Sequence, residues 1–120
     1  MTDLCWVSLQ VPDVEHARHF WRDVVGLAEK SAAPDFVELE LRPGLALQLH
    51  PVFHAAAMER HGYDRGGAVL GLRVADLDEM TRLLERHGAR ALGEAQAVPG
   101  GRTRDFECPD GYVFELVERK

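Results

Sequence analysis

An internal repeat constrains this chain more than any other feature. Residues 6–21, WVSLQVPDVEHARHFW, align with residues 69–84, VLGLRVADLDEMTRLL, 63 positions further on. In this register Leu9 meets Leu72, Val11 meets Val74, and Asp13 meets Asp76. Each segment first alternates with period two, as a half-buried strand does. One strand face carries Val7, Leu9 and Val11 in the first copy, and Leu70, Leu72 and Val74 in the second. The other face carries Trp6, Ser8 and Gln10, and in the second copy Val69, Gly71 and Arg73. Such asymmetry predicts one face against helices and one facing a cleft.

The period then changes to that of a helix. Asp13 and Asp76 stand where a short side-chain oxygen can accept the unpaired amides of a first helical turn. Glu79, three residues after Asp76, completes a capping-box pattern, whereas His16 at the matching place does so poorly. An apolar stripe of Val14, Ala17, Phe20, Trp21, Val24 and Val25 is expected on the first helix, with Phe20 and Trp21 in the core. Leu77, Met80, Leu83 and Leu84 form the stripe of the second. Gly26 and Gly88 follow as helix terminators.

Hairpins come next. Residues 36–41 alternate, turn at Pro43-Gly44, and run into residues 45–50; residues 102–108 turn at Pro109-Asp110-Gly111 into residues 112–118. Superposing these last strands aligns Gly44 with Gly111 and Gln48 with Glu115. Residues 27–33 and 89–97 are candidates for one more strand in each copy. The expected architecture is therefore α+β: two βαβββ modules forming paired curled mixed sheets around a cleft, in a single domain spanning 1–120. Module 1 covers about residues 4–51 and module 2 about 68–118. The connector, 52–67, carries a short helix near Ala55–Arg60, and its His54, His61 and Tyr63 are expected on the surface or in a lid. Neither half alone buries enough surface to be stable.

Composition narrows the functional classes. Lys plus Arg number 14 against 20 Asp plus Glu, a net charge of −6, which argues against nucleic acid as a partner. The same balance is compatible with a cationic ligand, although charge of this size chiefly favours solubility. Cys5 and Cys108 form neither a spaced metal motif nor a disulfide framework, which suits a reducing cytosol. The chain shows no secretory pattern at its start and no apolar run of the ~18 residues a membrane span needs, so a soluble cytoplasmic protein is expected.

The segments VSLQVPDVEHARHFWRDVVGL (7–27), GLRVADLDEM (71–80) and PDGYVFELVE (109–118) together resemble the vicinal oxygen chelate superfamily. That group comprises glyoxalase I, extradiol dioxygenases, and fosfomycin- and bleomycin-resistance proteins. The last segment is similar to the family's DPDGN–hydrophobic–E–hydrophobic signature, with Cys108 replacing Asp and Tyr112 replacing Asn. The resemblance implies chemistry on the concave face. In metal-dependent members the ligands correspond to Trp6, Val69, Gln48 and Glu115, where His or Gln, His, Glu and Glu respectively are usual. Trp6 offers only an indole donor and Val69 offers nothing, so the usual metal site is expected to be absent, and no cofactor is expected. The chain thus looks closest to the metal-free bleomycin-resistance-like group, whose members usually form homodimers with clefts between chains.

By strand parity the concave face should present Trp6, Ser8, Gln10, Glu38, Glu40, Gln48, His50, Val69, Gly71, Arg73 and Glu115. The expected ligand-binding residues are Trp6, Ser8, Gln10, Glu38, Gln48, His50, Val69, Arg73 and Glu115. Trp6 either stacks on a ring or a cation, or plugs the space a metal would fill. Glu38 and Glu40 either enter the cleft or lie at a solvated rim. His50 is expected as a neutral hydrogen-bond partner rather than a ligand. Arg102 and Arg104 either cross to Glu115 or make ion pairs at the rim. The leading functional expectation is a metal-free binding protein for an aromatic or cationic natural product, acting by sequestration. One alternative is a divergent lyase, isomerase or dioxygenase, either with Glu115 as base and His50 or Arg73 polarising a carbonyl, or with a non-standard metal site. Another is an accessory domain with a vestigial cleft.

Overall fold

The computed structural model describes residues 2–51 and 67–119, so the connector lies outside the described residues, including the helix expected near Ala55. Module 1 consists of β1 (Asp3–Gln10), α1 (Val14–Arg18), β2 (Ala28–Ala33), β3 (Phe36–Arg42) and β4 (Leu45–His50). Module 2 consists of β5 (Gly67–Arg73), α2 (Leu77–Arg86), β6 (Arg90–Ala91), β7 (Gln96–Val98), β8 (Gly101–Glu107) and β9 (Val113–Arg119). The uncertain strand of each copy thus exists, whole as β2 and split into β6 and β7 in module 2. Both modules join one open mixed sheet of nine strands in the order β2-β3-β4-β1-β5-β9-β8-β6, with β7 also on β8.

The seam between modules is the antiparallel pair β1–β5. Val7 and Leu70, equivalent in the repeat, face each other across it, so the pseudo-twofold axis passes between them. Inside each module the first and last strands run parallel, pairing Ser8 with Gln48 and, equivalently, Gly71 with Glu115. That register bears out the alignment of Gln48 with Glu115.

Alternation decides which face meets the helices. Val37, Leu39, Leu47 and Leu49 are buried beneath Val14 and Ala17 of α1, with Val7 and Leu9 packed alongside. On the other half Val74, Phe106 and Leu116 pack with Leu77 of α2. Burying a side chain such as Leu39 or Leu49 fully stabilises the fold by roughly 2 kcal/mol relative to exposure. Asp76 accepts from the Glu79 amide at 3.0 Å, and Glu118 Oε2 accepts from the Leu77 amide at 2.8 Å. Two acidic side chains therefore cap α2. Asp13 caps α1 alone, accepting from His16 at 3.1 Å.

The first helix departs from its expected stripe. After five α-helical residues the chain widens into a π-helical segment, His19–Val24, with Val25 N–H donating to Phe20 O at 2.9 Å. Widening the turn rotates later residues off the 3.6 spacing. Val14, Ala17 and Trp21 still meet the core, but Phe20, Val24 and Val25 are 47%, 64% and 49% exposed. Placing Phe20 in the core is therefore corrected by the change of helix pitch. No helix among the described residues is long and apolar enough to cross a membrane.

Candidate functional site

On the face away from the helices, a cavity of about 570 Å³ lies between the two modules of a single chain. Module 1 contributes Asp35, Phe36, Gln48 and His50 to its wall; module 2 contributes Glu94, Gln96, Arg104, Asp105 and Glu115. Gln48, His50 and Glu115 thus stand at one cleft, as strand parity required. Trp6, Ser8, Gln10 and Val69 share that face but are buried within the sheet rather than on the cavity wall. Glu38 is half-buried one step behind the wall, accepting from Gln48 Nε2 at 3.3 Å. Arg73 stands apart from the cavity lining: it is exposed and pairs with Asp3 at 3.2 Å. The bulge between Leu4 and Trp6 lies where that end of the seam departs from regular pairing.

The module 1 wall is a connected polar layer. Ser8 Oγ lies between Gln48 Oε1, at 3.3 Å, and His50 Nε2. Gln10 Nε2 approaches the same imidazole nitrogen at 3.3 Å. The His50 ring also bonds the backbone of Pro51, whose only hydrogen-bonding group there is a carbonyl, so the ring donates to it. Burial pushes the His50 pKa down and favours the neutral ring. The neutral ring's Nε2 lies against Ser8 Oγ and Gln10 Nε2. Those contacts tie His50 into the wall.

Module 2 carries the charge. Glu115 on β9 stands directly opposite Asp105 on β8. Its carboxyl is pushed up to about 7, first by burial and then by the neighbouring Asp105, against a lowering by the Trp6 indole. Beside Asp105 and out of water, the Glu115 carboxyl keeps its proton more readily than a free glutamate does. Trp6 Nε1 donates to Glu115 Oε1 at 3.0 Å, and the ring is only 4% exposed, covered by Ala46 and Val117. Between the open alternatives for the indole, the geometry is that of a plug. Arg104 donates to the Gly93 carbonyl at 2.8 Å, and Arg102 binds Glu118 and Asp78, so both guanidinium groups are engaged away from Glu115.

Asp105 is the site residue that reading single motifs missed. The two-copy alignment could have found it, because the displacement that carries Gln48 to Glu115 also carries Glu38 to Asp105. The structure pairs both sets across hairpins, Glu38 with Gln48 and Asp105 with Glu115.

The donors present do not suit a divalent cation. Among the described residues no three His, Cys, Asp or Glu side chains converge as a ligand set. At the positions metal-dependent relatives use, Val69 is an alkyl group and Trp6 directs an N–H, not a lone pair, at the remaining carboxylate.

Two βαβββ modules joined edge to edge through their first strands, with a cavity between them in one chain, define the fold class. The chain belongs to the Glyoxalase/Bleomycin resistance protein/Dioxygenase superfamily, whose family model matches residues 4–116. Its fold is similar to that of methylmalonyl-CoA epimerase from Mycobacterium tuberculosis, with 24% identity, coverage of 98% of this chain and 87% of that one, and a TM-score of 0.68. A superfamily member from Vibrio splendidus 12B01 matches over all of both chains at 20% identity and TM-score 0.69. The hypothetical protein BH1468 from Bacillus halodurans C-125 matches over 99% of this chain and 95% of that one, at 14% identity and TM-score 0.72. At these identities the likeness is one of fold. No curated protein matches the chain.

Proposed function

We propose that this protein is a metal-independent binding protein for a flat, cationic small molecule, held in the cleft between its own two modules. The observation that carries the reading is the cavity wall. Asp35, Glu94, Asp105 and Glu115 line it with carboxyl groups, Phe36 offers an aromatic face, and Arg104 is the guanidinium among those lining residues. A cavity of about 570 Å³ is of the size that holds a drug-sized ligand. Net negative charge on the chain favours arrival of a cation. His50, tied into the wall through Ser8 and Gln10 with burial favouring its neutral form, serves recognition better than proton transfer. The cysteines are free thiols, in keeping with action in a reducing cytosol by sequestration. The exposed Phe20, Val24 and Val25 and the exposed edge strand β2 suit a homodimer.

Isothermal titration against bleomycin-like and mitomycin-like compounds, with uncharged analogues as controls, tests the reading. Saturable heat from charged compounds, weakened at least about tenfold by Glu115→Gln, is the expected result. Absence of heat with every cationic aromatic compound would count decisively against it.

A second reading rests on the carboxyl pair. A cavity-facing Glu115 pushed to about 7 is suited to taking a proton from carbon and returning it, as an isomerase requires. Several structures of similar fold are methylmalonyl-CoA epimerases. Deuterium uptake from heavy water into methylmalonyl-CoA, lost in Glu115→Gln, would support this reading over simple binding.

A further inference from the structure

Across the middle of the sheet, cleft-side positions form a row: Ala46, Trp6, Gly71, Glu115, Asp105, on β4, β1, β5, β9 and β8. Trp6 and Glu115 are thus next-but-one neighbours, two strand spacings or roughly 10 Å apart along the backbone. The side chain of an intervening residue would normally fill that gap. Here the residue is Gly71, and the indole lies across it: a Cβ at this position would overlap Trp6 Nε1, Cε2 and Cδ1. Crossing the gap is what brings Nε1 to 3.0 Å from Glu115 Oε1. The Arg119 guanidinium lies 5.6 Å from the ring centroid, and Ala46 and Val117 pack against the ring.

The pseudo-twofold supplies an internal comparison. Its equivalent row runs Glu38, Gln48, Ser8, Val69, with Ser8 in the place of Gly71. There the intervening side chain is itself the donor, Ser8 Oγ to Gln48 Oε1. Each half therefore gives its mid-strand acceptor one donor from the centre of the sheet. Module 2 does so with a residue one strand further away, which only a glycine between them permits.

We propose that Trp6 is a positioning residue standing where relatives place a metal: its N–H, admitted by Gly71, fixes one oxygen of a Glu115 carboxyl that lines the cavity beside Asp105. A neutral donor steadies a carboxylate as a cation does, but offers no open coordination position. Ligands then meet a carboxyl oxygen, not a metal. This inference rests on the metal-independent part of the proposed function.

The experiment follows the two indole N–H signals of uniformly ¹⁵N-labelled protein, with Trp6→Phe identifying the signal of Trp6. Glu115→Ala is expected to speed deuterium exchange of the Trp6 indole at least about tenfold, and Glu115→Gln, which keeps an acceptor, to restore slow exchange. Gly71→Ala, which pushes the ring aside, should match Glu115→Ala. Calorimetry with nickel chloride on the wild-type protein is expected to show no stoichiometric uptake. Indole exchange indifferent to Glu115→Ala overturns the proposal while leaving metal-independent binding standing. Uptake of one nickel that is lost in Glu115→Gln overturns both.

Discussion

Glu115 illustrates how little a residue's identity says before its neighbours are known. A glutamate mid-strand among apolar residues must find a partner, shift its pKa or face water. The fold gives it all three: the Trp6 indole, a pKa of about 7, and a cavity. The raised value has a consequence for stability. The folded state binds this proton more tightly than the unfolded chain, whose carboxyl titrates near 4.5. Stability contributed by the protonated form is therefore full below about 4.5, falls as pH rises toward 7, and is flat above it. Glu115→Gln keeps an acceptor for Trp6 and adds an amide donor for Asp105. The variant should lose this pH dependence and exceed the wild type by roughly 1–3 kcal/mol at pH 8. Urea unfolding at pH 5 and pH 8 measures the difference; equal pH slopes in the two proteins would refute it.

Among the elements, the two helices started from the same pattern and ended differently. α2 keeps its α-helical pitch, and its start is held by Asp76 and by Glu118 from β9. Asp76→Ala should cost about 1 kcal/mol, read as a lowered thermal midpoint, with Glu118 limiting the loss. A larger effect than that of Asp13→Ala in α1 would show the opposite of this compensation, since Asp13 has no such second acceptor beside it. In the first helix, the stripe through Val25 was readable only as far as Trp21. The π-helical widening at residues 19–24 is a local choice between two hydrogen-bond patterns, and hydrophobic spacing does not decide it. The apolar residues it turns outward, Phe20, Val24 and Val25, belong with the proposed homodimer. Sedimentation velocity at micromolar concentration should show a dimer, and Phe20→Glu with Val24→Glu should shift it to monomer. A wild-type protein that sediments as a monomer would remove the dimer from the reading.

At the scale of the whole molecule, the repeat is the organising fact and the seam is its expression. Alternation in residues 6–11 and 69–74, caps at Asp13 and Asp76, and glycine turns at Gly44 and Gly111 are local signals. Each follows from neighbours in sequence, which is why the α+β modules, the strand parity and the face holding Gln48, His50 and Glu115 were legible in advance. Chain pairing was not. A cleft can close within one chain or between two, and strand parity reads the same in either arrangement. Here β1 pairs with β5 of the same chain, which brings Trp6 beside Gly71 and across to Glu115. Arg73 shows the complementary failure: its parity suits the cleft, but its place at the end of β5 sets it beside Asp3. By itself the sequence determined two equivalent modules and which side of each strand would face the cleft, because alternation and capping act over a few residues. Only the tertiary structure decided that burial and Asp105 raise the Glu115 carboxyl, and that an indole reaches that group across a glycine. Those contacts join residues as far apart as 6 and 115, and their energies depend on burial and strand register, which neither segment encodes alone.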